Sequence, residues 1–112
     1  MSPPRLNRRL TLEAPQRVPD ASGGFQIVWV PLGVIWGDCR AGSVRERQEG
    51  GATVSSVNYT ITVRNADIAS PQRPHPDQRF RDGARVFSIH AVSESDMDGF
   101  YLQCHATEEV LA

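Results

Sequence analysis

This sequence predicts an all-β fold, a small antiparallel barrel or sandwich of five to six strands with two long loop inserts, on three observations. Short runs alternate apolar and polar side chains with a period of two, the repeat of a half-buried strand. Clusters of glycine, proline and aspartate punctuate those runs. No segment of about ten residues or more sustains the 3.6-residue apolar period of an amphipathic helix.

The first strand is read at Leu6 to Ala14, where Leu6, Arg8, Leu10, Leu12 and Ala14 share one parity and Asn7, Arg9, Thr11 and Glu13 the other. Pro15, Pro19, Asp20, Ser22, Gly23 and Gly24 then concentrate turn formers, so a hairpin-like connection is expected. Phe25 to Arg40 is rich in Val, Ile and Trp. Pro31 and Gly33 in its middle mark a long strand broken by a bulge or bend. The insert 42–56 opens with a polar, charged stretch between glycines and reads as a mobile loop or a single helical turn.

Val57, Tyr59, Ile61 and Val63 alternate with Asn58, Thr60, Thr62 and Arg64, the clearest strand pattern in the chain. Residues 65–78 contain Pro71, Pro74 and Pro76, which remove backbone donors and stop regular pairing, so this is the second insert. Asp82-Gly83 and Asp98-Gly99 are turn signals. They bound a strand at Arg85 to Val92, with Phe87, Ile89 and Ala91 on one face, and introduce another at Phe100 to Thr107, with Phe100, Leu102, Cys104 and Ala106 on one face. These two are expected to pair as a hairpin.

At 112 residues the chain fits one domain, 1–112, able to bury roughly two thirds of its unfolded surface. Twelve basic and thirteen acidic side chains give a formal charge of -1, which argues against a protein whose main work is gripping nucleic-acid phosphates. The longest apolar stretch, Phe25 to Trp36, is about half of what a bilayer crossing needs, so no membrane association is expected. The first residues lack the apolar core of a secretory signal, and synthesis in a reducing cytoplasm is the expectation. Cys39 and Cys104 form no CxxC pair and imply neither a zinc ribbon nor a disulfide framework.

Candidate chemistry is sparse. His75, His90 and His105, with Cys39 and Cys104, are possible metal ligands, but the adjacent pair Cys104-His105 points to opposite sheet faces. His90 shares parity with Val86 and Val92 and reads as a partly covered packing residue rather than a catalytic base. Glu94, Asp96 and Asp98 before Gly99 faintly resemble the start of a calcium loop, yet its closing glutamate is missing. Neither a nucleophile elbow nor a phosphate loop occurs. Neither an enzyme nor a cofactor is therefore expected. Arg5, Arg8 and Arg9 form a basic cluster suited to a solvated strand edge, an acidic partner or DNA phosphates. Arg45, Glu46, Arg47 and Glu49 in the first insert, and Arg73 and His75 in the second, are candidates for contacts between subunits or with a channel.

The order of these elements resembles the head-tail joining family of tailed phages. The resemblance is carried by Leu6-x-Arg-Arg-Leu-x-Leu12, Asp20-Ala-Ser-Gly-Gly-Phe25, Trp29 and Val34-Ile-Trp-Gly-Asp-Cys-Arg40. It continues through Tyr59-Thr-Ile-Thr-Val-Arg64 and the run from Arg79 to Val92, so it covers nearly the whole chain. It is strongest to the neck proteins of gene transfer agents, which are phage-derived particles. The resemblance implies a non-catalytic head-closure or stopper subunit in the particle neck, a twelve-subunit ring between a portal-adaptor protein on the head side and a tail-terminator protein on the tail side. Double-stranded DNA would pass through the lumen without sequence-specific binding, with the inserts 42–56 and 65–78 lining or gating it. The rival reading is an OB-like barrel that stacks single-stranded nucleic acid on Trp29, Trp36, Tyr59 or Phe87.

Overall fold

The computed structural model describes residues 3–95 and 98–111. Among them are six strands and no helix: β1 (Arg8–Pro19), β2 (Phe25–Glu49), β3 (Ala52–Arg64), β4 (Arg79–Asp82), β5 (Arg85–Glu94) and β6 (Tyr101–Leu111). Every pairing is antiparallel, and the sheet closes on itself in the order β1-β2-β3-β6-β5-β4. Within the barrel, closure removes the sheet edges that would otherwise template aggregation. The barrel is the predicted all-β architecture.

The inward parity fills the lumen. Leu10 and Leu12 from β1, Ile61 and Val63 from β3, Phe80, Phe87 and Ile89 from β4 and β5, and Leu102, Cys104 and Ala106 from β6 form one buried cluster. Burial of each large side chain contributes about 1.5–3 kcal/mol. Cys104 therefore faces the core and His105 the outside, as its parity requires.

β2 is the unusual element. Its 25 residues would run about 80 Å if straight, yet the molecule's long axis is 48 Å. Two irregularities bend it. Opposite β1 the register steps from Leu12–Gly33 to Glu13–Pro31, leaving Leu32 as the extra residue of a bulge. Gly33 there has φ of 152°, a backbone conformation that L side chains rarely adopt, so the bulge calls for glycine. Opposite β3 the register skips Gly42 and Ser43. The bend expected from Pro31 and Gly33 is thus a bulge.

β2 pairs β1 only through Gly37 and β3 only from Gly37 onward. Each half therefore belongs to a different hairpin, and the two hairpins leave opposite ends of the barrel. Past Ala14 and Val30, β1 and β2 continue as a two-stranded ribbon. Past Ala41 and Tyr59, β2, β3 and the tail of β6 continue as a three-stranded one. The radius of gyration, 15.5 Å, exceeds the roughly 13 Å of a compact domain this size because of these projections.

Three expectations change. Residues 42–56 are a β-ribbon, not a loop or helical turn: Arg45, Glu46, Arg47, Gln48 and Glu49 pair with Ser56 through Ala52, and Gly50 and Gly51, at φ of 58° and 81°, make the reversal. Pro15 and Pro19 lie within β1 rather than in a turn. β4 pairs β1 only at Thr11 to Glu13, so β1 beyond that point has a free edge where a missing N–H costs no ladder bond. Ala91 is exposed and Val92 half-buried, because a register shift at His90 reverses the parity expected for β5. The second insert is a loop as expected, and β5 and β6 form the expected hairpin.

Candidate functional site

At the end where β1 begins, the barrel mouth is closed by charge. Arg85 donates from Nε to Glu108 Oε2 at 2.7 Å, and from Nη2 to Oε1 at 2.9 Å and to the Tyr59 hydroxyl at 3.0 Å. Arg8 donates to Asp82 at 3.0 Å. Both guanidiniums lie over the buried Phe87 ring, 5.6 and 5.1 Å from its centroid, and the Tyr59 ring meets Phe87 edge-on at 5.0 Å. The bidentate pair holds the Glu108 carboxyl below its ordinary range and pushes Arg85 up. Asp38, on the outside of β2, is likewise held low by Arg40 and by the backbone N–H of Arg5.

The basic N-terminal cluster is thereby divided. Arg8 is spent inside the mouth, Arg5 anchors its backbone to Asp38 at 2.9 Å, and Arg9 remains exposed beside Trp36 across the strand pair. The three-stranded ribbon beyond this mouth carries charges of both signs. Arg47 pairs with Glu49 at 3.1 Å and Glu109 at 3.3 Å, while Arg45 and Glu46 are exposed with no ion pair among the described residues.

At the opposite end the loop 65–78 is tied down. Arg73 donates to the Asn65 side chain and the Ala66 carbonyl, both at 2.8 Å, and Asn65 donates to the Gly99 carbonyl at 2.7 Å. Arg73 is therefore the loop's internal clamp. His75 is exposed, and its backbone N–H donates to the Gln78 side chain at 3.0 Å. The two-stranded ribbon departs beside this loop. At its base Glu13, 4% exposed, accepts from Arg79 at 2.7 Å with Arg81 3.6 Å away, and Arg79 stacks on Trp29 at 4.1 Å. Farther out, Phe25 is 59% and Ile27 52% exposed, with Arg17 over the Phe25 ring at 4.4 Å.

This apolar ribbon is the surface the sequence reading missed. A signal was present: Phe25, Ile27 and Trp29 on one parity, with Val28 and Val30 beside Gln26 on the other, make the run apolar on both faces, the pattern of a strand covered on both sides. Trp36, 51% exposed, and Val34 extend apolar surface onto the outside of the barrel. Together with Leu6, Ile35, Arg64, Asn65, Ala66 and Gln72 they line a groove of about 390 Å³.

The soft ligands do not converge. Among the described residues no three His, Cys, Asp or Glu side chains are grouped to hold a metal. His90 is exposed rather than partly covered and belongs to a polar ladder across four strands: its Nε2 lies 2.8 Å from Thr107 Oγ1, Thr107 donates to Asn58 at 3.2 Å, and Asn58 donates to Ser43 at 2.7 Å. Both cysteines are free thiols, and burial pushes Cys104 up to about 12, so it carries no thiolate at neutral pH. Glu94 and Asp98 are exposed, while Asp96 lies outside the described residues. The stacking platform for single strands is also dispersed: Phe87 is in the core, Tyr59 packs on it, Trp29 lies under Arg79, and Trp36 is on another face.

What the chain offers is two projecting ribbons and an apolar groove on a closed barrel, the anatomy of an assembly subunit. The comparisons with known proteins point the same way. No curated protein matches the chain. A solved chain from the virion of a native gene transfer agent particle superposes with a TM-score of 0.88 at 49% identity, over 98% of this chain and 100% of that one. The family model for phage head completion protein matches residues 1–109, and with that match across nearly its full length, the chain belongs to the phage head completion protein family.

Proposed function

We propose that copies of this chain form a ring that closes the head of a phage-like particle at its neck, and that the chain acts structurally rather than as an enzyme. A head-closure role follows from the family and from the virion origin of its 49% identical structural neighbour. The ring, on our reading of twelve subunits, sits between a portal-adaptor protein and a tail-terminator protein. The observation that carries this is the exit of two ribbons from opposite ends of one closed barrel, which gives a single small domain two separate projecting elements for contacts within the particle.

The charged ribbon 42–56 suits the channel. Its arginines and glutamates alternate, and Arg47 is neutralised within the ribbon. Such a surface contacts DNA without gripping it, since tight binding requires a net excess of cations at the phosphates. Double-stranded DNA then slides past during passage. The loop 65–78, clamped by Arg73, is the less adaptable of the two inserts.

The test is DNA retention by heads assembled with and without this chain. Heads lacking it are expected to lose their DNA, and the intact chain to restore retention. A variant whose residues 45–53 are replaced by a tight turn is expected to join heads yet retain DNA poorly. Equal retention by heads lacking the chain overturns the head-closure reading. Equal retention with the shortened ribbon overturns only the channel role of 42–56.

A further inference from the structure

We infer that the tip of the β1–β2 ribbon of one copy seats in the groove of the next, with Phe25 and Ile27 against Leu6, Val34 and Trp36, and Asp20 facing Arg64. This rests on the ring reading above and adds which surfaces meet. Phe25 and Ile27 lie on one face of the ribbon, flanked by Pro19 opposite Phe25, and remain more than half exposed. A two-stranded hairpin is marginal on its own in water, and apolar surface of this kind on a projecting element marks a contact.

The groove is the matching concavity. Leu6, Val34 and Trp36 give its lining apolar surface, and Gln72 and Arg64 give it polar groups. One chain cannot bring the two together. The ribbon runs off the barrel end from Ala14 and Val30 onward, whereas the groove lies on the barrel itself, at the level where Leu10 pairs with Ile35. A ridge on one patch and a groove on another make a heterologous contact, and repetition of that contact closes a ring.

Charge complementarity selects a second copy as the occupant. At the tip, Asp20 Oδ1 accepts the backbone N–H groups of Ser22 and Gly24, both at 2.9 Å, leaving Oδ2 without a hydrogen-bond donor among the described residues. In the groove, Arg64 is exposed and has no ion pair among the described residues. The unused carboxylate and the unused guanidinium are carried by the two surfaces whose apolar parts also match.

The experiment is cross-linking within assembled particles. A Phe25→Cys, Trp36→Cys double variant, treated with a short bis-maleimide, is expected to give a ladder of covalent multimers of this chain, at least ten-fold above either single variant. The single variants also control for half-buried Cys39. A second pair, Ser22→Cys with Arg64→Cys, leaves the apolar contacts whole and serves if the first pair fails to enter particles. A ladder from either pair supports the contact. Particle-borne protein of the second pair with no ladder from either pair overturns it, as does cross-linking of Phe25→Cys alone to a different protein of the particle. Cryo-electron microscopy of the same particles separates the two levels: a ring without the ladder sinks this contact alone, whereas the absence of a ring sinks the reading beneath it.

Discussion

The two ends of the barrel are built from the same strand and solved in opposite ways. Both ribbons use a half of β2. At one end the projecting surface is apolar, with Phe25, Ile27, Val28 and Ile68 exposed. At the other, arginines and carboxylates pair across the mouth and along the ribbon. Contacts that form once and persist are the more apolar class, and contacts that stay wet are the more polar. The apolar end is thus suited to permanent grip and the charged end to a surface that something passes or joins late.

If the barrel folds independently of its ribbons, the largest stability losses come from the core between the ends. Phe80→Ala and Phe87→Ala are each expected to cost about 3–5 kcal/mol by the cavity they leave. Phe87 additionally supports both mouth arginines. Phe25→Ala, on the exposed ribbon, is expected to leave the denaturation midpoint unchanged while lowering incorporation into particles. Denaturant melting of the three variants checks this; a loss of stability in Phe25→Ala matching that of the core variants breaks the division between barrel and ribbon.

Next in size is the joint between barrel and apolar ribbon. Arg79→Ala leaves the Glu13 carboxylate buried with only the more distant Arg81 for company and uncovers Trp29. Removing one partner of a buried pair is costly, here about 2–3 kcal/mol because Arg81 compensates in part. Amide exchange is expected to rise across 15–28 and to stay level in 42–56. A uniform rise sinks the claim that Arg79 serves one end.

How much of this was legible in the sequence differs between the ends for the same reason. Period-two alternation exposes strands with one buried face, so Val57 to Arg64 and Tyr101 to Thr107 were found, and with them the closed core, whereas Phe100, expected on the core face of that strand, precedes β6 and is exposed. Phe25 to Val28 in one ribbon and Arg45 to Glu49 in the other are exposed on both faces, so neither run has that signature. Arg45 to Glu49 therefore read as loop, although the Gly50-Gly51 pair is a hairpin turn. Pro15 and Pro19 read as a turn because the pairing partner that leaves β1 a free edge is set by the short β4, distant in sequence. Among the site candidates, Arg45, Glu46, Arg47 and Glu49 do share one ribbon, but Arg8 and Arg73 turn inward to Asp82 and Asn65. Those partners are 74 and 8 residues away.

The charged mouth gives a pH-dependent prediction. Arg85 holds Glu108 below its usual 4.5, so in acid the folded state binds fewer protons than the unfolded state. The pair's stabilisation is then fully present above about pH 4.5 and is lost as pH falls through the depressed folded value. Glu108→Gln is expected to cost about 1–2 kcal/mol at neutral pH, a modest figure because Arg85 is 44% exposed and screened by water. Denaturant titrations at pH 7 and pH 3 check it: the gap to the unsubstituted chain should close in acid, and a constant gap rules out the ion pair as its source.

The smallest expected effect on stability is at the tip of the charged ribbon, and it separates folding from assembly most cleanly. Arg47 is exposed; the hydrogen bonds it donates to Glu49 and Glu109 raise its pKa, which leaves its charge at neutral pH unaltered. Exposed pairs of this kind stabilise little, since two long side chains lose freedom for an attraction that water and salt screen. Arg47→Ala is therefore expected to leave the melting midpoint unchanged. It does unbalance the ribbon, freeing Glu49 and Glu109 as net negative charge. In a lumen occupied by DNA that repulsion should lower DNA retention, and added salt should restore it. A destabilised Arg47→Ala chain would mean the ribbon is part of the folding unit, and unchanged retention at low salt would place it away from the DNA path.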